Sequence, residues 1–271
     1  MLGGCIGVPA EENVKNHVSY SQIQTYLTCP QKYYYHYILE VPVETEPEAL
    51  VLGRHIHFAV AEFYRYHAKN GTKMPLEQLL GCFRDGWKEE DPSRIAMKNG
   101  DTLESVQELA MALLSVYHEK REPVEVASVE SGFRVPLIDL ETGELLNKDL
   151  VGTFDLVEKD SKGNLILVEL KTAARAMSDG QVEYSHQPSL YAYALWQLEL
   201  IPDGQEAQVR YDILTKTKTP KLQVINTSRD KKAVQRSIQL TRDVMRAIEL
   251  NVFYRNQGWR CADCQFQTVC E

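Results

Sequence analysis

The stretch Leu165-Ile166-Leu167-Val168 sets the tightest limit on what this chain can fold into. Neighbouring side chains of a strand point to opposite sides, so four apolar residues in a row suit a central strand buried on both faces. It follows Asp160-Ser161-Lys162-Gly163, which reads as a hairpin loop, and residues 150–158 read as the partner strand. Further strands are predicted over 124–139, 207–215 and 221–226. Between the first two strands, Glu141-Thr142-Gly143-Glu144 is a turn signal.

The first ~120 residues have a different texture. Ile56, Val60, Phe63 and His67 repeat at i, i+4, i+7 and i+11, which predicts a helix over 50–69. Residues 76–90, 102–121, 186–200 and 228–250 are further helices, and Ser19 or Ser21 can cap a short helix ahead of Cys29. Residues 40–48, with four glutamates and two prolines, read as an exposed acidic loop. The expected class is α+β. The divisions are a flexible N-terminus (1–18), a helical region carrying Cys29 and His57 (19–122), a mixed-sheet core (123–227), and a long helix with a cysteine tail (228–271). No repeat or low-complexity segment interrupts this order.

The chemistry concentrates at Asp155 and in Glu169-Leu170-Lys171. Glu169 and Lys171 share one face of their strand, and the hairpin can bring Asp155 beside Glu169. Two carboxylates at one point repel unless a cation lies between them, and hard oxygen ligands select Mg2+ or Mn2+. Lys171 would then orient or help deprotonate a water, or stabilise charge developing on a phosphate. By spacing alone, a strand with a solvated polar face accounts for the same residues.

Six cysteines are too few for a disulfide scaffold. Cys261, Cys264 and Cys270 form C-x2-C-x5-C at the end of the chain, and Cys29, followed by Pro30, supplies a fourth thiolate. Four thiolates suit zinc or an iron–sulfur cluster. Cys5 and Cys82 read as free thiols.

Asp155 with Glu169-Leu170-Lys171 resembles the motif of the PD-(D/E)XK nucleases, in their RecB-like branch. Gly53-Arg54-His55-Ile56-His57 is similar to that branch's upstream helix, whose histidine joins the metal site, and His57 matches it better than His55. Gln187-Pro188-Ser189-Leu190-Tyr191 is similar to the family's Q-x3-Y element, which implies substrate contacts from Gln187 and Tyr191. The cysteines resemble the iron–sulfur subset, which includes CRISPR-associated RecB-like exonucleases and the AddB nuclease domain. There a [4Fe-4S] cluster would be held by Cys29, Cys261, Cys264 and Cys270, with zinc as the alternative. The resemblance implies a restriction-endonuclease-like fold with a mixed sheet flanked by helices. It also implies a Mg2+- or Mn2+-dependent DNA exonuclease with catalytic Asp155, Glu169, Lys171 and His57. Phe154 stands where the motif name has proline, and the long span from His57 to Asp155 implies an inserted helical region over 72–121. Glu130 is a further carboxylate outside the expected set.

The expected substrate is single-stranded DNA, in recombination and repair, phage DNA processing or CRISPR adaptation. The formal net charge of -8 excludes a uniformly basic coat, but not a local basic groove. Residues 209–246 hold ten Lys and Arg against three acids, a net of +7 that leaves -15 elsewhere. That segment reads as a solvated face or as a groove that follows the phosphate backbone. Tyr20, Tyr26, Tyr33, Tyr34, Tyr35 and Tyr37 are candidates for stacking bases or for core around the cysteines. No Gly-Lys phosphate-loop motif occurs, so any helicase or CRISPR integrase would be a separate partner. No apolar run reaches membrane-spanning length, and Leu2-Gly3-Gly4-Cys5 lacks the segments of a lipoprotein signal, so the cytoplasm is expected. The other class of function is a non-catalytic DNA-binding or assembly subunit that keeps the nuclease fold.

Overall fold

In the computed structural model, residues 16–98 and 100–270 are described. Cys5 and most of the expected flexible N-terminus lie outside them. A short strand, β1 (His17–Ser19), leads into α1 (Tyr20–Thr28). Ser19 caps that helix reciprocally with Gln22, which satisfies two backbone N–H groups that the first turn leaves without partners. Cys29 is extended, and Pro30 starts α2 (Pro30–Tyr33), which widens into a π-helical turn over Tyr34–Ile38. A short pair, β2 (Glu46–Pro47) and β3 (Ile95–Ala96), brackets α3 (Glu48–Asn70) and α4 (Leu76–Lys88). Next comes α5 (Leu103–Lys120). The strands β4 (Val126–Ile138), β5 (Leu145–Lys159) and β6 (Leu165–Ala173) follow, then α6 (Asp179–Glu183) and α7 (His186–Gln197). The chain continues through β7 (Ala207–Thr215), β8 (Lys221–Arg229) and α8 (Lys231–Glu249), and a short α9 (Gln267–Cys270) closes it.

The main sheet runs β1-β5-β6-β7-β8, with β4 on the other edge of β5. Strands β6 and β7 are parallel, while β4/β5, β5/β6 and β7/β8 are antiparallel. Helices α3, α4 and α5 cover one face, and α1, α7 and α8 the other, each over its own apolar core. Leu167 joins the second layer and Val168 and Leu170 the first, as a strand buried on both faces requires. This is the expected mixed sheet between helices, in the manner of a restriction-endonuclease fold.

Two details of β4 and β5 create the site. The alternation of sides breaks near Asp155: Phe154 packs on the α7/α8 layer and Leu156 on the α3–α5 layer. The facing strand does the same, with Val129 on one layer and Phe133 on the other. Glu130, opposite Asp155, has a φ of 46°, in the left-handed region that side chains usually avoid. The second detail is a fork. Strand β5 pairs with β1 over residues 149–151 and with β6 only over 156–159, which leaves 152–155 free of strand pairing on that edge. Gly152 fits here because a Cβ would come 2.6 Å from the Phe133 ring. That ring stacks on Phe154 with centroids 4.6 Å apart.

Candidate active site

The fork holds Asp155 by its backbone surroundings. Asp155 Oδ2 accepts a hydrogen bond from the Leu170 N–H at 3.0 Å, bridging the two diverging strands. Its Oδ1 lies 3.4 Å from His57 Nδ1 on α3, and Glu130 Oε1 lies 3.9 Å from the same nitrogen. One donor atom from each of His57, Glu130 and Asp155 can be chosen so that all three lie within 4.8 Å of one another. Glu130 is the residue that sequence reasoning left out. Its only signal is the left-handed backbone that turns it toward Asp155, and that signal exists in three dimensions alone. His55 turns away, to Glu90 at 2.7 Å, among Phe83 and Trp87.

Glu169 is 1% exposed. Its Oε1 lies 2.5 Å from Lys171 Nζ, while its Oε2 is buried without a hydrogen-bond partner. Lys171 also donates to Gln187 Oε1 at 2.8 Å, so α7 fixes the ammonium from the side opposite α3. Burial pushes the Glu169 carboxyl up to about 7, against the lowering effect of Lys171 and with a further rise from Asp155. Burial alone would lower the Lys171 pKa, but Glu169 outweighs it and the ammonium stays charged. In the metal-free site Lys171 is thus a cation held between Glu169 and Gln187. Burial likewise lowers the His57 pKa, and Asp155 reverses it to a net rise. The Glu130 pKa is raised by burial and then by Asp155.

The donor set fits a divalent cation. It offers one imidazole and hard carboxylate oxygens, the preference of Mg2+ or Mn2+. The unpartnered Glu169 Oε2 is a buried acceptor of the kind that ordinarily has a partner. Tyr191 behaves differently from the expected substrate contact. Its ring is 7% exposed and meets the Phe133 and Phe154 rings edge-on, so it seats α7 against the fork.

The basic segment 209–246 does not form one track. Arg210 is buried in a network with Glu158 and Asp212, Arg229 is buried with its N–H groups on the Val182 and Ser228 carbonyls, and Arg242 pairs with Asp139. Strand register, which the sequence does not display, takes Arg210 and Arg229 inward, while Arg242 on α8 is half-buried against Asp139. Tyr26 and Tyr33 are core residues too, at 6% and 5% exposure.

At the chain's ends, Cys29, Cys261, Cys264 and Cys270 line one cavity of about 430 Å3 with Tyr35, Trp259 and Phe266 among its walls. All four are free thiols. Tyr26 donates to the Val252 carbonyl at 2.6 Å, Tyr35 to the Val269 carbonyl at 3.0 Å, and the Gln31 N–H to the Tyr254 carbonyl at 3.1 Å. These bonds tie α1 and α2 to the C-terminal tail.

A forked mixed sheet carrying Asp155, Glu169 and Lys171, with a helical histidine opposite, defines the class as a metal-dependent nuclease fold. Residues 17–271 match the PD-(D/E)XK nuclease superfamily, and the chain belongs to it. Among solved structures it is similar to a Eubacterium rectale protein named a putative exonuclease. The identity is 11% and the TM-score 0.51, over 89% of this chain and 86% of that one. The structure of SSO0001 aligns at 12% identity and a TM-score of 0.39, over 84% and 85%. No curated protein gives a significant match. Among the described residues no helix is long and apolar enough to cross a membrane.

Proposed function

We propose that this nuclease is a Mg2+- or Mn2+-dependent DNA exonuclease of the RecB-like branch, preferring single-stranded ends. The observation that carries the reading is the buried, unpartnered Glu169 Oε2 beside Asp155, with Lys171 locked between Glu169 and Gln187. His57, Asp155, Glu169 and Glu130 would hold the ion, which when bound lowers the pKa of a water and neutralises phosphate oxygens. The chain's own residues do the rest. The Leu170 N–H fixes the rotation of Asp155, so one oxygen stays aimed at the site. Lys171 places a permanent positive charge where the attacked phosphate gains negative charge, and its two anchors remove the cost of reorganising it. His57 must be neutral to ligate, so acid that protonates it weakens the site.

The four cysteines would hold a [4Fe-4S] cluster. Their shared cavity of about 430 Å3 supports that reading, with zinc as the alternative. A helicase, recombination protein or CRISPR integrase would be a separate partner.

The test is digestion of end-labelled single- and double-stranded DNA with Mn2+ or Mg2+, comparing wild type with Lys171→Ala. The expected result is metal-dependent shortening from an end of single strands, lost in the variant. Binding without cleavage by wild type would instead establish the non-catalytic subunit. The anaerobically purified protein should be brown with a cluster and colourless with zinc.

A further inference from the structure

A groove of about 810 Å3 runs along α3 from Ala49 to Arg65, with His57 midway and Glu130 and Lys171 in its lining. Its walls carry four cations, Arg54, Arg65, Lys171 and Lys216, and one carboxylate, Glu130. Arg54 is shared with Glu46 and Glu90, and Lys171 with Glu169, so Lys216 and Arg65 are the cations this groove offers a polyanion. The neighbouring cavity beside the 40–48 loop is the reverse, with five acidic side chains against Lys32, Arg54 and Arg94. A polyanion leaving the site is therefore drawn along α3 and away from that loop.

Phe58 stands in this groove, one residue after His57, and is 47% exposed. The α3 residues Phe63, Ile56 and Val60 are all buried, so the apolar stripe of the helix is already satisfied without it. Lys216, at the end of β7, is half-buried, and its ammonium is short of water. Arg65 pairs with Glu62 of its own helix at 2.6 Å, and its side chain is 44% exposed. Charge and a free aromatic face together describe the site of an unpaired nucleic-acid strand, whose phosphates need cations and whose bases need π-faces.

Resting on the nuclease reading above, we propose that Phe58 stacks on a base of the single-stranded substrate beside the scissile phosphate, while Lys216 and Arg65 hold flanking phosphates. A duplex keeps its bases stacked on one another and cannot offer one to Phe58. The groove is thus a device for choosing unpaired ends.

The test separates this proposal from the nuclease reading by measuring binding without divalent ion, with labelled oligonucleotide anisotropy, and cleavage with Mn2+. Phe58→Ala should weaken single-strand binding by about fivefold to a hundredfold, the equivalent of ~1–3 kcal/mol per stacked base. Phe58→Trp should restore it, and blunt duplex binding should not change. An abasic nucleotide scanned along the strand should, at one position, cost wild type the same factor and Phe58→Ala nothing. Lys216→Ala should reduce the slope of log affinity against log salt by about 0.7, one phosphate on a single strand. Equal single-strand binding by Phe58→Ala, or a loss that no abasic position abolishes, would overturn the proposal. Absence of cleavage with this binding pattern intact would count against the nuclease reading alone.

Discussion

Replacing Glu169 by glutamine should stabilise the metal-free protein while ending its activity. The wild-type carboxyl has its pKa pushed up to about 7 from an ordinary 4.5, chiefly by burial. A carboxyl with a raised folded-state value favours folding in its neutral form. That contribution is complete below pH 4.5 and is lost as the pH rises through 7. At ~1.4 kcal/mol per pH unit, the ionised group costs about 3 kcal/mol at pH 8. Glu169 is 1% exposed, so solvent screening does not reduce this. Glutamine has nearly the same shape and never ionises. Guanidinium unfolding of the two EDTA-treated proteins should therefore coincide near pH 4.5 and diverge to about 3 kcal/mol by pH 8, roughly 6–12 °C in Tm. Comparing variant with wild type at each pH cancels the carboxylates distant from the site. Adding Mn2+ should close the gap, because the ion supplies the ionised carboxylate with a partner. A difference that does not change with pH, or a variant less stable than wild type at pH 8, would refute the reasoning.

Gln187→Ala should lower kcat by about tenfold to a hundredfold with little change in KM, since Lys171 loses one of its two anchors; steady-state digestion of single-stranded DNA reads both constants. Arg210→Ala should destabilise by about 3–5 kcal/mol, because Glu158 and Asp212 are then left buried without their shared cation. Calorimetric Tm measures it. If the four cysteines hold the proposed cluster, Cys264→Ser should remove its visible absorbance and lower the Tm, while Cys82→Ser, outside the four-cysteine cavity, should do neither.

Much of the frame was legible in the residues. The apolar run at 165–168 marks β6, and the alternation over 207–215 matches β7 end to end. The helices expected at 50–69 and 102–121 appear as α3 and α5 with shifts of one or two residues at their ends. Asp155, Glu169 and Lys171 stand out through strand alternation, a local rule, together with the resemblance to the family motif, and Gln187 through that resemblance alone. What escaped is non-local. Strand β5 begins at Leu145, well before 150, because it is held by its pairing with Ile138 rather than by its own pattern. Glu130 joins the site through a turnover that involves two strands at once. Arg210 looks like a groove cation until β7 is placed in the sheet, where it meets Glu158 of β5 beside Asp212 of its own strand. The π-helical turn at Tyr34–Ile38 has no periodic signature.

The bonds between α1–α2 and the tail join residues more than 220 positions apart in the chain, such as Tyr26 with Val252 and Tyr35 with Val269. Contacts of such separation close the longest loops and cannot form until both partners exist. On the ribosome, α1 and α2 therefore wait for residues 252–269 before these contacts can form. Until then α1 has no tail to dock on, and the aromatic faces of Tyr26 and Tyr33 that meet Phe253 stay uncovered. The closing of this fold is set by the arrival of residues 252–269.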